Sequence, residues 1–262
     1  MSRLRDAFTR GRPALVIYLT EGDPSPAETA DIAAAAAAAG ADVIELGVPF
    51  SDPNADGPVI QEAMQRALRA GGGLDSALAT VRTLRARGVD IPVVLFGYYN
   101  PIFVRGPERF AAEAAAAGAD AVLAVDLPID EAAELHGPLR AAGLDLIPLV
   151  APTSGPARIE RVRAFAPPFV YYISMTGITG AAFAQASVSA ERVAEVRDAA
   201  GAPVAVGFGI KTPADAAAIA AYADGVVVGS AVVRRILDAP PGGAAAAVAE
   251  LVAGLRAGID RG

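Results

Sequence analysis

Apolar runs of strand length recur along the whole chain and alternate with alanine-rich stretches. Eight such runs begin near residues 13, 42, 91, 120, 144, 168, 202 and 224. Between them, charged residues return at helical spacing, as in PERFAAEAAAAG, ARIERVRAFA and AERVAEVRDAAG. Strands that are continuously apolar are typical of parallel sheets covered by helices. The pattern therefore predicts eight βα units.

A (β/α)8 barrel fits this count, because such barrels take about 250 residues and the chain has 262. The alternative is a doubly wound open sheet, but its usual G-x-G-x-x-G turn is missing after the first run, in YLTEGDPSP. The gap between the second and third strands has room for an additional helix, PVIQEAMQRALRAG. No linker or change of composition divides the sequence. We expect one domain over residues 1–262, an α/β TIM barrel with extra helices.

A weak internal repeat accompanies four of the predicted strands. It reads AAGADVIELG, AAGADAVLAVDLP, AAGLDLIPLV and AAYADGVVVGS. Each copy has a helix end, a glycine or alanine turn, an aspartate and then a strand-like run.

Composition excludes several classes of protein. The net charge of −7 argues against a nucleic-acid-binding face, which needs clustered basic residues. The N-terminal stretch ends in Glu21 and Asp23 without a small-residue cleavage site, so we expect no signal peptide. The uncharged stretch from Ala164 to Ala190 contains a Pro-Pro pair and glycines and predicts a buried strand and loop, not a membrane span. We expect a cytoplasmic protein.

Three carboxylates lie close together in ELGVPFSDPNADGPVIQ, directly after the second predicted strand. The active site of a (β/α)8 barrel lies at the carboxyl ends of its strands. Glu45 ends the strand, where apolar surroundings raise the pKa of a carboxyl group. Asp52 and Asp56 follow in the loop, where Asp-Pro and Asp-Gly are also ordinary turn formers. Glu45 is therefore the stronger catalytic candidate from the residues alone.

Glycine turns after the seventh and eighth predicted strands, in VGFGIKTPAD and VVVGSAVVRRI, indicate a phosphate site. Gly207, Gly209 and Gly229 expose backbone N–H groups, and Ser230 opens a short helix. Helix N-termini with free amides bind phosphate, and barrels hold such a site in these two loops. Gly180, after the sixth strand, is a third source of amides. The alternative is that these glycines only permit tight turns.

The sequence gives little support for metal-dependent or Schiff-base chemistry. His136 is the only histidine, in a charged predicted helix, and there is no cysteine, so a zinc site is not expected. Lys211 is the only lysine and is predicted to be exposed, which disfavours a Schiff base. General acid–base chemistry by carboxylates on a phosphorylated substrate remains.

The sequence resembles the alpha subunit of tryptophan synthase. The resemblance is carried by ELGVPFSDPNADGPVIQ and by YLTEGDP, YYNPIF, DLPIDE, YYISMTGITG, GFGIKTP and DGVVVGSAVV in the same order, and so covers essentially the whole chain. It implies a lyase that cleaves indole-3-glycerol phosphate to indole and glyceraldehyde 3-phosphate without a metal or organic cofactor. It also implies a tryptophan synthase beta subunit as partner, in an α2β2 heterotetramer.

The resemblance also implies residue roles. Glu45 matches the acid–base glutamate, Asp56 the aspartate that holds the indole N–H, and Tyr171 the tyrosine beside the glutamate. Matches to the phosphate binders are Gly180, Gly209, Gly229 and Ser230, with Phe208 beside them, and matches to residues that line or close the pocket are Tyr18, Phe96, Leu123 and Thr179.

Some residues depart from the family pattern. Asn54 and Glu21 stand where small or apolar residues are usual, and GAAFAQ after Gly180 lacks a frequent arginine. These differences affect loops that close over substrate or face the partner, not the type of reaction. A stand-alone lyase that releases indole without a beta subunit is one alternative, because the same pocket would serve it. A degenerate subunit that only activates its partner is a second, and intact Glu45 and Asp56 count against it. An isomerase of sugar phosphates is a third alternative, but it has little use for Asp56.

Overall fold

The computed structural model describes residues 2–173, 189–207 and 209–261. In this part of the chain nine strands form one sheet in the order β5-β4-β3-β2-β1-β9-β8-β7-β6, and all of its paired strands run parallel. The strands are β1 (Ala14–Thr20), β2 (Val43–Gly47), β3 (Val93–Gly97), β4 (Ala121–Ala124), β5 (Asp145–Leu146), β6 (Leu149–Val150), β7 (Val170–Ile173), β8 (Val204–Gly207) and β9 (Gly225–Val228).

Helices surround this sheet. They are α1 (Arg3–Ala7), α2 (Pro26–Ala38), α3 (Pro58–Arg69), α4 (Leu74–Ala86), α5 (Tyr99–Arg105), α6 (Pro107–Ala117), α7 (Ala133–Ala141), α8 (Pro156–Arg161), α9 (Ala190–Ala200), α10 (Pro213–Ala220), α11 (Ser230–Leu237) and α12 (Ala244–Ile259), with a 3-10 turn at Val162–Phe165. Helix α3 is the additional helix that the sequence predicts. Over the residues described, no helix combines the length and the apolar character that a membrane span requires.

The sheet closes into a barrel through its fifth predicted strand. This segment is split into β5, which pairs with β4, and β6, which pairs with β7. The two residues between them bridge the edges: the Ile147 N–H donates to Val122 at 2.9 Å, and the Pro148 carbonyl accepts from Tyr171 at 3.0 Å. Pro148 has no N–H to donate, which is why a regular ladder breaks at this point. The eight predicted runs are thus confirmed, with one interrupted.

Side chains alternate along each strand between the barrel interior and the surrounding helices. On β2, Ile44 and Leu46 belong to the large apolar cluster that the helices share. Val43 belongs to the interior cluster, with Val94, Phe96 and other strand residues. Glu45 points the same way as Val43, so the strand delivers one carboxyl group into the barrel.

The aspartates of the internal repeat lie at the amino ends of the strands, where they fasten neighbouring strands together. Asp42, Asp120 and Asp224 each accept a hydrogen bond from a backbone N–H of the preceding strand in the chain, at 2.9, 2.8 and 2.8 Å. Each is also paired with arginine; Arg256 and Asp42, both almost fully buried, are 3.0 Å apart. In three of its four copies the repeat is therefore a strand-to-strand bond at the end of the barrel opposite the site; in the fourth, Asp145 pairs with Arg5.

Candidate active site

Glu45 is completely buried as the third of the five residues of β2, two positions before the end of the strand, whereas the sequence analysis places it at the end itself. Neither of its carboxyl oxygens has a hydrogen-bond partner in the described part of the chain. Burial without compensation disfavours the charged form, and it raises the pKa of Glu45 from 4.5 to about 8. Near neutral pH this side chain holds a proton that it is able to donate and then recover.

Two tyrosines flank the glutamate inside the barrel. Tyr18 is opposite Glu45 in the β1–β2 register, and its ring meets Phe96 edge-on at 5.3 Å. Tyr171, on β7, lies 6.5 Å from the same phenyl ring. Burial raises the pKa of both phenols well above their ordinary value, and the charges of Asp56 and Glu45 raise it further. Both carboxyl groups are therefore close to both phenols, and the phenols remain protonated.

Glycines at the ends of two strands make room for these phenols. A Cβ atom at Gly47 would lie 2.2 Å from the Tyr18 hydroxyl, and a Cβ atom at Gly207 would lie 2.2 Å from the Tyr171 hydroxyl. Real side chains do not tolerate such distances, so each tyrosine occupies space that only glycine leaves. Gly207, a candidate phosphate residue from the sequence, has this packing role in the structure.

Asp56 is held in the loop between β2 and α3. Its Oδ2 accepts a 2.7 Å hydrogen bond from the Tyr98 hydroxyl, and its backbone carbonyl accepts one of 2.8 Å from the Gln61 amide. Burial raises the pKa of Asp56, and the Tyr98 hydrogen bond opposes that rise. By contrast, Asp52 is exposed: its carboxylate accepts the neighbouring Ser51 hydroxyl and its backbone carbonyl accepts the Asn54 N–H at 2.8 Å, as in a turn.

The glycine loops after β8 and β9 lead to the start of α11. The backbone of Gly209 has φ +54°, a left-handed conformation that favours glycine. Helix α11 begins at Ser230, and its first internal bonds run from Val232 and Val233 to the Gly229 carbonyl. The N–H groups of residues 230 and 231 therefore have no acceptor within the helix. Ser230 also borders a cleft lined by Lys211 and Arg234.

The predicted site residues fall into two groups. Those that the structure brings to the barrel interior or its carboxyl end are Glu45, Asp56, Tyr18, Phe96, Leu123, Tyr171, Gly209, Gly229 and Ser230. Those that lie outside the described residues are Thr179, Gly180 and Phe208.

Two residues were missed by the sequence analysis. Tyr98 contacts Asp56, and its signal was an aromatic hydroxyl in GYYNPIF, directly after the third strand. Gly47 accommodates Tyr18, and its signal was a glycine two positions after Glu45. The unusual Glu21 lies elsewhere: it is fully buried near the hydroxyls of Ser76 and Thr80 on α4, between barrel and helix.

The fold and the site together define a class: an enzyme built on a (β/α)8 barrel, with two buried carboxyl groups, those of Glu45 and Asp56, close to the same two phenols. Within the described residues, no group of three or more His, Cys, Asp or Glu side chains is placed to hold a metal ion.

The chain belongs to the tryptophan synthase alpha chain family, whose model matches residues 4–256. It is 53% identical over 238 residues to the tryptophan synthase alpha chain of Citrifermentans bemidjiense, which covers 89% of each chain. It is 50% identical over 260 residues to that of Novosphingobium aromaticivorans, covering 99% of this chain and 97% of the relative. These matches confirm the family that the sequence motifs indicate.

Solved structures agree. Tryptophan synthase subunit alpha from Legionella pneumophila str. Paris superposes with a TM-score of 0.89 at 37% identity, covering 100% of this chain and 99% of that one. A chain of Mycobacterium tuberculosis tryptophan synthase superposes with a TM-score of 0.87 at 37% identity, covering 98% and 96%. The likeness extends over the whole barrel.

Proposed function

We propose that Glu45 and Asp56 carry out, in this chain, the reaction of its family. The chain is a lyase of tryptophan biosynthesis that cleaves indole-3-glycerol phosphate to indole and glyceraldehyde 3-phosphate. The observation that carries the assignment is the complete burial of Glu45, with a pKa of about 8. A general acid–base group is most effective when its pKa is close to the working pH.

Two proton transfers by the same carboxyl group account for the cleavage. Protonated Glu45 first donates its proton to C3 of the indole ring, which leaves a positive charge on the ring nitrogen. The Glu45 carboxylate then accepts the proton of the hydroxyl on the glycerol carbon attached to C3. As that carbon becomes an aldehyde, its bond to C3 breaks and the electron pair returns to the ring. Glu45 ends the cycle protonated, as it began.

Asp56 stabilises the intermediate charge. An ionised carboxylate that accepts the ring N–H is worth most when the nitrogen is positive, so it favours the transition state over the bound substrate. The hydrogen bond from Tyr98 favours the ionised form of Asp56 against burial. Glu45 is thus protonated and acts as the acid, whereas Asp56 is ionised and stabilises the positive charge.

The remaining contacts bind the substrate. The phosphate group is placed at the start of α11, where free N–H groups and the helix dipole favour an anion. Residues assigned to it are Gly209, Gly229 and Ser230, with Gly180 and Phe208 by family resemblance. Residues assigned to the indole pocket and its closure are Tyr18, Phe96, Leu123, Tyr171 and Thr179.

A tryptophan synthase beta subunit is the partner of the chain. We assign the assembly as an α2β2 heterotetramer in the cytoplasm, with residues 1–262 as one domain. Apolar surface near the carboxyl end of β3 supports a partner there: Phe103 and Val104 on α5 are 59% and 77% exposed. The stand-alone lyase differs only in needing no such partner.

The test is to incubate the purified chain with indole-3-glycerol phosphate, alone and with a beta subunit, and to quantify indole. Glu45→Gln should lower turnover by about 10²–10⁴-fold while substrate still binds, because it removes the proton donor and acceptor. Glu21→Gln is the matched control, a buried glutamate outside the site, and should retain activity.

Three results would contradict parts of this assignment. Absence of indole in both arms would refute the reaction, and turnover of Glu45→Gln within about tenfold of wild type would refute the role of Glu45. Full speed in isolation with no response to the beta subunit would favour the stand-alone lyase.

A further inference from the structure

Tyr98 touches the loop that carries Asp56 at three points. It follows β3 directly and is almost fully buried. Its ring stacks on Phe50 with a centroid distance of 5.0 Å. Its hydroxyl accepts the Ala55 N–H at 3.0 Å and donates to Asp56 Oδ2 at 2.7 Å. The hydroxyl therefore binds two consecutive residues of one loop: it accepts from Ala55 and donates to Asp56.

We propose that Tyr98 is a positioning residue for the cleavage reaction: its phenol fixes the Asp56 carboxylate so that Oδ1 faces the indole ring nitrogen. The inference rests on the proposed function, because Tyr98 acts through Asp56. In the described residues, the side-chain hydrogen bond to this carboxylate comes from Tyr98, and the 2.7 Å distance is typical of a bond to a charged acceptor. One oxygen is thereby engaged, and the rotation of the carboxylate is restricted.

The hydrogen bond from the Ala55 N–H to Tyr98 fixes the loop that carries Asp56 to the barrel. Tyr98 is anchored by the end of β3, which pairs with β2 through Gly47 and Phe96. The loop after β2 is therefore tied back to the neighbouring strand through the Ala55 N–H. Gln61 adds a second tie, donating to the carbonyls of Pro53 at 3.2 Å and Asp56 at 2.8 Å. A loop aspartate held in this way requires little reorganisation when the substrate binds.

The Tyr98 phenol is protonated and is therefore able to donate its hydrogen bond to Asp56. Burial is the main cause of its raised pKa, and the hydrogen bond and charge of Asp56 add to it, with a smaller contribution from Asp126. The phenol thus keeps its proton at every pH at which the enzyme works. The other titratable groups around Asp56 are Glu45 on β2, Tyr18 on β1 and Tyr171 on β7. None of these three donates a hydrogen bond to Asp56 among the residues described, so the bond from Tyr98 is the specific one.

Tyr98→Phe removes the hydroxyl and keeps the ring on Phe50. A hydrogen bond to a charged group corresponds to roughly a 10- to 100-fold effect, so we expect kcat/KM for indole-3-glycerol phosphate to fall by about that factor. The matched control is Tyr99→Phe, the same change one residue on. Tyr99 packs with the outer apolar cluster, and its hydroxyl interacts with Glu134 and makes no hydrogen bond to Asp56 in the described residues, so this variant should behave as wild type.

The pH profile separates positioning from simple packing. The bond from Tyr98 lowers the pKa of Asp56, so its loss raises that pKa, and the acidic limb of kcat/KM should move to higher pH. The substrate phosphate also titrates at about pH 6, but it is common to all variants, so the difference between variant and wild type isolates Asp56. The double variant Tyr98→Phe with Asp56→Asn should be no slower than Asp56→Asn alone, because groups that act as a unit are not additive.

Additive losses, or an unmoved acidic limb, would overturn the inference. If Tyr98→Phe does not fold, site-specific 3-fluorotyrosine at position 98 keeps the ring and hydroxyl and is a stronger donor. The acidic limb should then move to lower pH, and no movement would equally overturn the inference. A wild-type chain that releases no indole refutes the proposed function itself, whereas active wild type with an unaffected Tyr98→Phe refutes only the role of Tyr98.

Discussion

Glu45→Gln should make the protein more resistant to unfolding as the pH rises. In the native state the carboxyl group has a pKa of about 8, because its oxygens are buried without partners. In the unfolded chain the ordinary value of 4.5 applies. A group that binds its proton more tightly when folded stabilises the native state below the lower pKa, and this contribution is lost as the pH rises toward the higher one. Glutamine does not titrate and has no such loss.

The size of the effect follows from the two pKa values. Between pH 4.5 and about 8 the folded protein keeps a proton that the unfolded chain has released. Stability of the wild type should therefore decline by about 1.4 kcal/mol for each pH unit in that interval, relative to the variant. The whole interval corresponds to about 5 kcal/mol, and no further divergence is expected above it. Any fixed cost of burying the amide cancels when the two curves are compared across pH.

The assay is urea unfolding of both proteins at several pH values from 4 to 9, followed by circular dichroism. The control is Glu160→Gln, the same change at an exposed position on α8, whose curve should run parallel to that of the wild type. Parallel curves for Glu45→Gln as well would show that Glu45 does not titrate with a raised pKa. The acid–base role would then lose its physical basis, whatever the activity of the variant.

Other substitutions test the packing around the site and at the opposite end of the barrel. Gly47→Ala places a methyl group 2.2 Å from the Tyr18 hydroxyl, so it should destabilise the protein by about 1–3 kcal/mol and lower indole release, as measured by unfolding and turnover. Asp42→Ala leaves the guanidinium of Arg256 buried without this partner and should cost about 3–5 kcal/mol in unfolding free energy, while folded protein keeps its turnover.

The positions of the strands along the chain were predictable, because each strand is a continuous apolar run and such runs are buried on both faces. All eight predicted starting points lie close to observed strands. The break at Pro148 could have been predicted, because proline has no N–H to donate to a neighbouring strand. What the pattern did not contain is that the two fragments pair on opposite sides and so close the barrel. That depends on the pairing of β5 with β4 and of β6 with β7, each between segments that are distant in sequence.

Prediction of the site had the same limit. Glu45 was found from its place at the end of a buried strand, where a carboxyl group is costly unless it is used. Tyr98 and Gly47 were not found, because their significance lies in contacts across neighbouring elements that no local pattern contains. The roles of Thr179, Gly180 and Phe208 stay predictions, as do the roles assigned to the described site residues.

The carboxyl groups at the two ends of the barrel have opposite surroundings. At the amino ends, Asp42, Asp120 and Asp224 are each paired with arginine and accept backbone N–H bonds, which hold neighbouring strands together. At the carboxyl end, no ion pair joins Glu45 or Asp56 to an arginine in the described residues, and burial raises the pKa of both. An arginine beside Glu45 would hold it ionised at neutral pH and abolish its use as an acid. The proposed reaction thus depends on a carboxyl group whose ionised form is destabilised by burial without a partner. The paired aspartates at the other end of the barrel stabilise the fold and help to offset the cost of that burial.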